Sequence, residues 1–140
     1  LIVRSCQVHA LMPMMQFSVA PWRILDPEHL EICRNYAHLH QKMGNYILEQ
    51  AHHSAKSGEP IIRHMEYEFP HQGFASCKDQ FMLGDKYLVA PIITKEHTRS
   101  VKLPKGIWKD DAGQKFKGPK TIQVNAPIDR LPYYEKISNK

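Results

Sequence analysis

The pattern of apolar and polar positions changes character near Gly58. Before it the chain reads as helix, short strand, long helix. Leu1 to Met12 holds helix-tolerant residues and no Gly, and Pro13 stops it. Met14-Met15-Gln16-Phe17-Ser18-Val19 is short, largely apolar and bounded by Pro13 and Pro21, which predicts a buried strand. Asp26-Pro27-Glu28 predicts a helix start: a capping carboxylate, a proline suited to the first helical position, and an acid at the positive end of the dipole. Leu30, Cys33, Tyr36, Ala37, Met43, Ile47 and Ala51 then recur at the spacing of one helix face. Lys56 and Gly58 supply the stop. Gly44 inside this helix costs about 1 kcal/mol relative to Ala and predicts a close packing contact.

After Gly58 the periodicity becomes that of strands. Pro60 to Phe69 alternates, with Ile62, His64, Glu66 and Glu68 on one side. Leu88 to Ile93 is a second apolar segment, in which Pro91 argues against a central ladder position. Ser100 to Leu103, Gly106 to Lys109 and Thr121 to Val124 follow, separated by Pro104, Asp110 to Gly113, Gly118-Pro119 and Asn125 to Pro127. Short strands at this spacing predict an antiparallel sandwich. The fold class expected is therefore α/β plus all-β. Residues 1–58 are the last helix–strand–helix of a (β/α)8 barrel, and residues 59–140 begin a separate antiparallel β-sandwich.

Composition narrows the class. With 42% hydrophobic and 24% charged residues, the 140-residue chain has the make-up of a folded globular protein, not of a disordered tail. No apolar run approaches the roughly 20 residues of a membrane-spanning helix. Leu1 to Cys6 carries neither an initiating Met nor a basic-then-apolar leader, and reads as the interior of a longer chain. Cys6, Cys33 and Cys77 form no C-x-x-C pair. Buried free thiols in a reducing, cytoplasmic setting are favoured, and an oxidising compartment that pairs two of them stays open.

Arg4 to Ser18, Gly58 to Pro70, Asp79 to Ile92, Leu103 to Trp108 and Ala126 to Pro132 carry motifs whose order resembles glycoside hydrolase family 31. Arg4-x-x-Gln7-x-x-Ala10-x-x-Pro13 followed by Met14 to Ser18 is similar to the family's run from a barrel helix into the eighth strand. Asp79 to Ile92 (DQFMLGDKYLVAPI) matches the family's D-Q-F-x-L-G-D-x-L-L-V-A-P nearly position for position. Gly58 to Arg63 before Glu68-Phe69-Pro70, Leu103-Pro104-x-Gly106-x-Trp108, and Ala126 to Pro132 complete five matches in the family's order. Met14 to Trp22, with Arg63 to Phe69 later in the chain, looks most like the subgroup of myogenesis-regulating glycosidases and their bacterial relatives. The wider family carries an Arg-x-His pair where this chain has Gln16 and Ser18. That departure opens the sugar specificity, with an α-galactoside as a candidate beside α-glucosides.

The resemblance implies a retaining α-glycosidase, which needs two carboxyl groups about 5–5.5 Å apart. The family's two catalytic Asp residues lie upstream of the matched region, so no catalytic residue is assigned here. Gln16 and Ser18 are expected to line the sugar subsite, with Trp22 nearby on the loop face where barrel active sites are built. The implied ligand is an α-linked oligosaccharide or glycoside, and the implied partner is the rest of the parent chain. The resemblance implies no cofactor.

Other candidate chemistry reads as structure. A structural or solvent-facing role is favoured for Glu66 and Glu68, turn-holding for Asp79 and Asp85, and a plain turn for Asp110-Asp111. The nine histidines suggest a metal, but His38 and His40 are two apart and His52-His53 adjacent, so neither pair shares a helix face. No metal site is expected. The Lys-rich stretch from Lys102 to Lys120 lacks clustered Arg and any nucleic-acid motif, and reads as a sheet face with edge-protecting lysines. Trp108 is expected in the core. Alternatives stay open: a non-catalytic carbohydrate-binding or scaffolding module, or a family member that runs a lyase or transfer reaction.

Overall fold

The structure is a computed structural model and describes residues 1–139. It divides into two compact units, Leu1–Ile61 and the chain from Ile62 onward.

The first unit is helical. Helix α1 spans Ile2–Ala10 and buries Val3, Cys6, Gln7 and Ala10, the three-and-four spacing of one face. Helix α2 spans Pro27–Ser57. Its ends follow the sequence. The Asp26 carboxylate accepts from the His29 amide at 2.9 Å, Pro27 opens the first turn, and Gly58 takes the left-handed cap at φ 78°. Cys33 and Met43 are buried as expected, together with Ile32 and Gln50. His40 donates from Nδ1 to the Ala10 carbonyl at 3.1 Å, satisfying a carbonyl that the end of α1 leaves unpaired. Gly44 departs from expectation. It is exposed, and a methyl group there would meet nothing within 4 Å, so no close packing contact requires it.

The expected strand at Met14–Val19 is not formed. The segment is irregular, and Met14, Phe17 and Val19 are exposed. A strand exists only through ladder bonds to a neighbour, and among the described residues no segment pairs with this one. A 3-10 turn at Pro21–Arg23 then leads into α2.

The second unit is a six-stranded antiparallel sheet in the order β1-β2-β3-β6-β4-β5. The strands are β1 Ile62–His64, β2 Phe81–Leu83, β3 Tyr87–Val89, β4 Thr98–Asp110, β5 Lys115–Asn125 and β6 Tyr133–Ser138. The alternation expected to Phe69 breaks after three residues, where the chain turns into the short helix α3 (Met65–Glu68). His64 Nδ1 accepts the Glu66 amide at 3.2 Å, and Arg63 pairs with Glu68 at 2.7 Å, so local capping wins over the period-two pattern. The segments 100–103 and 106–109 are one strand. Pro104 to Gly106 is a bulge, with the register against β5 shifting between Leu103 and Gly106. Strand β6 was not anticipated, yet it joins β3 to β4.

One apolar core serves this unit, built from Met65, Phe69, Phe74, Met82, Leu88, Val101, Leu103, Trp108 and Tyr134 among others. Trp108 is fully buried as expected, and its indole N–H donates to the Pro104 carbonyl at 2.9 Å. Strand β5 is an edge, and Lys115, Lys117 and Lys120 stand exposed along it, the guarding role expected of that lysine run.

Candidate functional site

Two of the three expected sugar-contacting residues share a cleft. Gln16 and Ser18 line an open depression of about 270 Å³ within the first unit, walled by Ser5, Cys6 and His9 of α1 and by Met15, Phe17 and Val19. Both side chains are exposed. Trp22 is not among the lining residues; it sits on the 3-10 turn with 71% of its surface exposed.

The cleft's polar groups are a primary amide, two hydroxyls and an imidazole. His9 Nδ1 lies 2.8 Å from the Ser5 carbonyl, which can only accept, so Nδ1 carries a hydrogen. His9 was missed in the sequence because a lone helix histidine carries no spacing signal. Among the described residues no Asp or Glu lines the cleft. The set can hydrogen-bond a polyol; it offers no carboxyl for attack on an anomeric carbon or for protonating a leaving oxygen.

The acids lie in the second unit and are engaged in the fold. Glu66 and Glu68 do not share a strand face, since both fall in α3. Glu66 accepts the His71 and Phe74 amides, each at 2.9 Å. The His71 amide above all holds its carboxyl below the usual range. Asp79 was expected to hold a turn. Instead it pairs with the Arg99 guanidinium at 2.8 Å, and Arg99 also donates to the Asp79 carbonyl. Burial lowers the pKa of Arg99, against the opposing pull of Asp79. Asp85 does sit in the tight turn between β2 and β3. Asp110 holds a turn, its Oδ1 accepting the Ala112 and Gln114 amides. Asp111 does more than turn the chain: it takes a bidentate pair from Arg130 at 2.7 and 2.9 Å.

A second depression, about 510 Å³ and shallow, lies on the second unit between Asp110, Gln123, Asn125 and Arg130. Arg130 there is already engaged, facing Asp111, Asp110 and the Asn125 carbonyl. Among the described residues no three His, Cys, Asp or Glu side chains cluster as metal ligands do. Among the same residues no helix is long and apolar enough to cross a membrane.

Comparison with known proteins bears on both units. The profile of the glycosyl hydrolase family 31 C-terminal domain matches residues 58–137. The myogenesis-regulating glycosidase of Mus musculus is 35% identical over 132 residues, covering 92% of this chain and 18% of that protein. The isomaltosyltransferase of Sporosarcina globispora is 28% identical, covering 97% of this chain and 14% of that protein. Among solved structures, the family 31 dextranase of Flavobacterium johnsoniae complexed with glucose aligns with a TM-score of 0.87 at 30% identity. That alignment covers 96% of this chain and 18% of the dextranase. The chain thus spans less than a fifth of each of these relatives.

Proposed function

Because the chain belongs to glycosyl hydrolase family 31, we propose that it is the C-terminal part of a retaining α-glycosidase that releases terminal α-linked sugars. Residues 1–58 close the catalytic barrel as its last helix–strand–helix. Residues 59–140 form the start of the supporting β-sandwich, of which the antiparallel sheet is the first layer. The two catalytic carboxylates come from barrel strands outside these residues, so the 140 residues alone do not hydrolyse a glycoside.

The observation that carries this reading is the convergence of Gln16 and Ser18 on one open cleft, where amide, hydroxyl and imidazole groups stand together. An amide and a hydroxyl suit the hydroxyls of a neutral sugar, each able to donate and accept. The irregular backbone of Met14–Val19 fits a strand whose ladder partners belong to the rest of the barrel. Trp22, exposed on the 3-10 turn that follows this segment, serves an adjoining subsite.

The test is hydrolysis of aryl α-glucoside, α-galactoside and α-xyloside by the complete protein, with the anomer of the first product read by NMR. Retention is expected, on one of the three sugars. Gln16→Ala and Ser18→Ala should each lower kcat/KM by about tenfold, the worth of one hydrogen bond to substrate. Unchanged kinetics in both variants would remove these residues from the subsite. A protein with both upstream carboxylates absent would leave a non-catalytic carbohydrate-binding module. The likeness to an isomaltosyltransferase makes sugar transfer a second reading, scored in the same assay as transfer product against free sugar.

A further inference from the structure

We propose that Cys6 and Cys33 are a modification site, a thiol pair that closes a disulfide between α1 and α2 when the protein folds under oxidising conditions. Helix packing brings the two together although 27 residues separate them, and Cys6 Sγ lies 3.7 Å from the Cys33 carbonyl oxygen. Both are almost wholly buried, at 4% and 2% exposure, and both are free thiols in the structure. The third cysteine is not a competitor within this unit: Cys77 belongs to the second unit, where its thiol faces Asp79 Oδ1 at 3.7 Å.

The chemistry is thiol–disulfide exchange with a low-molecular-weight disulfide such as oxidised glutathione. One cysteine thiolate attacks the glutathione disulfide, forming a mixed disulfide and expelling one glutathione thiolate. The second cysteine thiolate attacks the protein sulfur of that mixed disulfide and expels the other. The two cysteines lose two electrons, and two molecules of reduced glutathione carry them away with the protons. Burial, with Cys33 adding to it, pushes the Cys6 thiol up to about 12, so the folded pair reacts slowly. The bond therefore forms while the helices are docking, and burial then shields it from reductant.

The loop this bond closes contains Gln16, Ser18 and Trp22, and Cys6 itself lines the cleft with the first two. Closing it ties α1 to α2 on either side of the segment that holds Gln16 and Ser18, a covalent restraint in addition to any strand pairing that segment makes in the complete protein. The consequence for sugar binding rests on the reading of Gln16 and Ser18 given above; the bond itself does not.

The complete protein, reduced and unfolded, is refolded in a reduced and oxidised glutathione buffer, alkylated and mapped by peptide mass spectrometry. The expected result is one peptide pair joined through Cys6 and Cys33, lighter by two hydrogens, with Cys77 alkylated. The linked protein should show a higher Tm and slower hydrogen exchange across residues 11–26 than protein refolded in reductant, and Cys33→Ser should show no difference between the two refolding conditions. Alkylation of both Cys6 and Cys33, or a link through Cys77, would overturn the site. A correct link with unchanged exchange would overturn the restraint on the segment. None of these readouts depends on glycosidase activity.

Discussion

The side chain of Gln80 pairs with the backbone of Lys102 as a neighbouring strand would. Its Nε2 donates to the Lys102 carbonyl at 3.0 Å, and its Oε1 accepts the Lys102 amide at 2.9 Å. Strand β4 pairs with β6 only from Ile107 onward, so among the described residues no strand pairs with its first half on that side. Gln80 fills one position of the gap, while Asp79 next to it anchors Arg99 three residues earlier on β4. Two adjacent residues of the D-Q-F motif thus act on one strand. Their work is architectural.

Gln80 is 5% exposed, and its truncation takes both partners from the partly buried Lys102 amide and carbonyl. Gln80→Ala should cost about 2–4 kcal/mol, read by chemical denaturation. Gln80→Glu keeps the acceptor for the Lys102 amide but sets a carboxylate oxygen against the Lys102 carbonyl. Its penalty should shrink as pH falls and the carboxyl gains a proton it can donate. A pH-independent penalty would mean that the amide is not acting through these two bonds.

Two glycines should respond to alanine with opposite signs. At Gly118 a methyl group would lie 1.9 Å from the Pro104 carbonyl oxygen, which is backbone and cannot step aside. Gly118→Ala should destabilise by about 3 kcal/mol or more through displacement of the β4–β5 pairing. At Gly44, exposed within α2, a methyl group meets nothing, and Gly44→Ala should stabilise by about 1 kcal/mol. Thermal denaturation of both variants checks the pair.

The second unit should lose stability in acid through identifiable carboxylates. Glu135 sits between Lys109 at 2.6 Å and Lys86 at 2.9 Å, and hydrogen bonds from Lys109 and then Lys86 hold its carboxyl below the usual 4.5. Glu66 is lowered by the His71 and Phe74 amides. A carboxyl with a lowered folded-state pKa binds its proton first in the unfolded chain. Its stabilisation is therefore complete above the unfolded value and is lost as pH falls through the folded one. Urea midpoints should drop below about pH 4.5, and Glu135→Gln should lower the neutral midpoint while flattening that acid limb. Equal acid slopes in parent and variant would assign the loss elsewhere.

Local signals were legible wherever the residues act locally. Asp26-Pro27 and Gly58 marked both ends of α2 because caps are short-range chemistry. The motif around Asp79 to Ile92 revealed the family, though its bonds to Arg99 and Lys102, about twenty residues on, could not be read from spacing. The proline and glycine of Pro104 to Gly106 resembled a turn, and only pairing with β5 shows one strand passing through a bulge. Met14–Val19 has the composition of a strand, but composition cannot supply a neighbour. The Cys6–Cys33 contact and the place of His9 on the cleft both arise from helix docking, which leaves no periodic trace.

Trp22 and Gln16 should separate by substrate length. Gln16 lines the cleft with Ser18, whereas Trp22 is not among the lining residues and stands on the 3-10 turn, 71% exposed. An exposed indole outside the cleft suits stacking on a sugar ring beyond the one proposed for the cleft. Stacking contributes about 1 kcal/mol, or roughly fivefold in affinity. In the complete protein, Trp22→Ala should raise KM for a tri- or tetrasaccharide by about that factor and leave an aryl monoglycoside untouched. On the proposed reading, in which the cleft holds the terminal sugar, Gln16→Ala should weaken both substrates alike. If Trp22→Ala impairs the monoglycoside as strongly as the longer sugar, the indole lies within the first subsite. If it impairs neither, its exposed face meets protein instead of ligand, and removing it should then lower Tm.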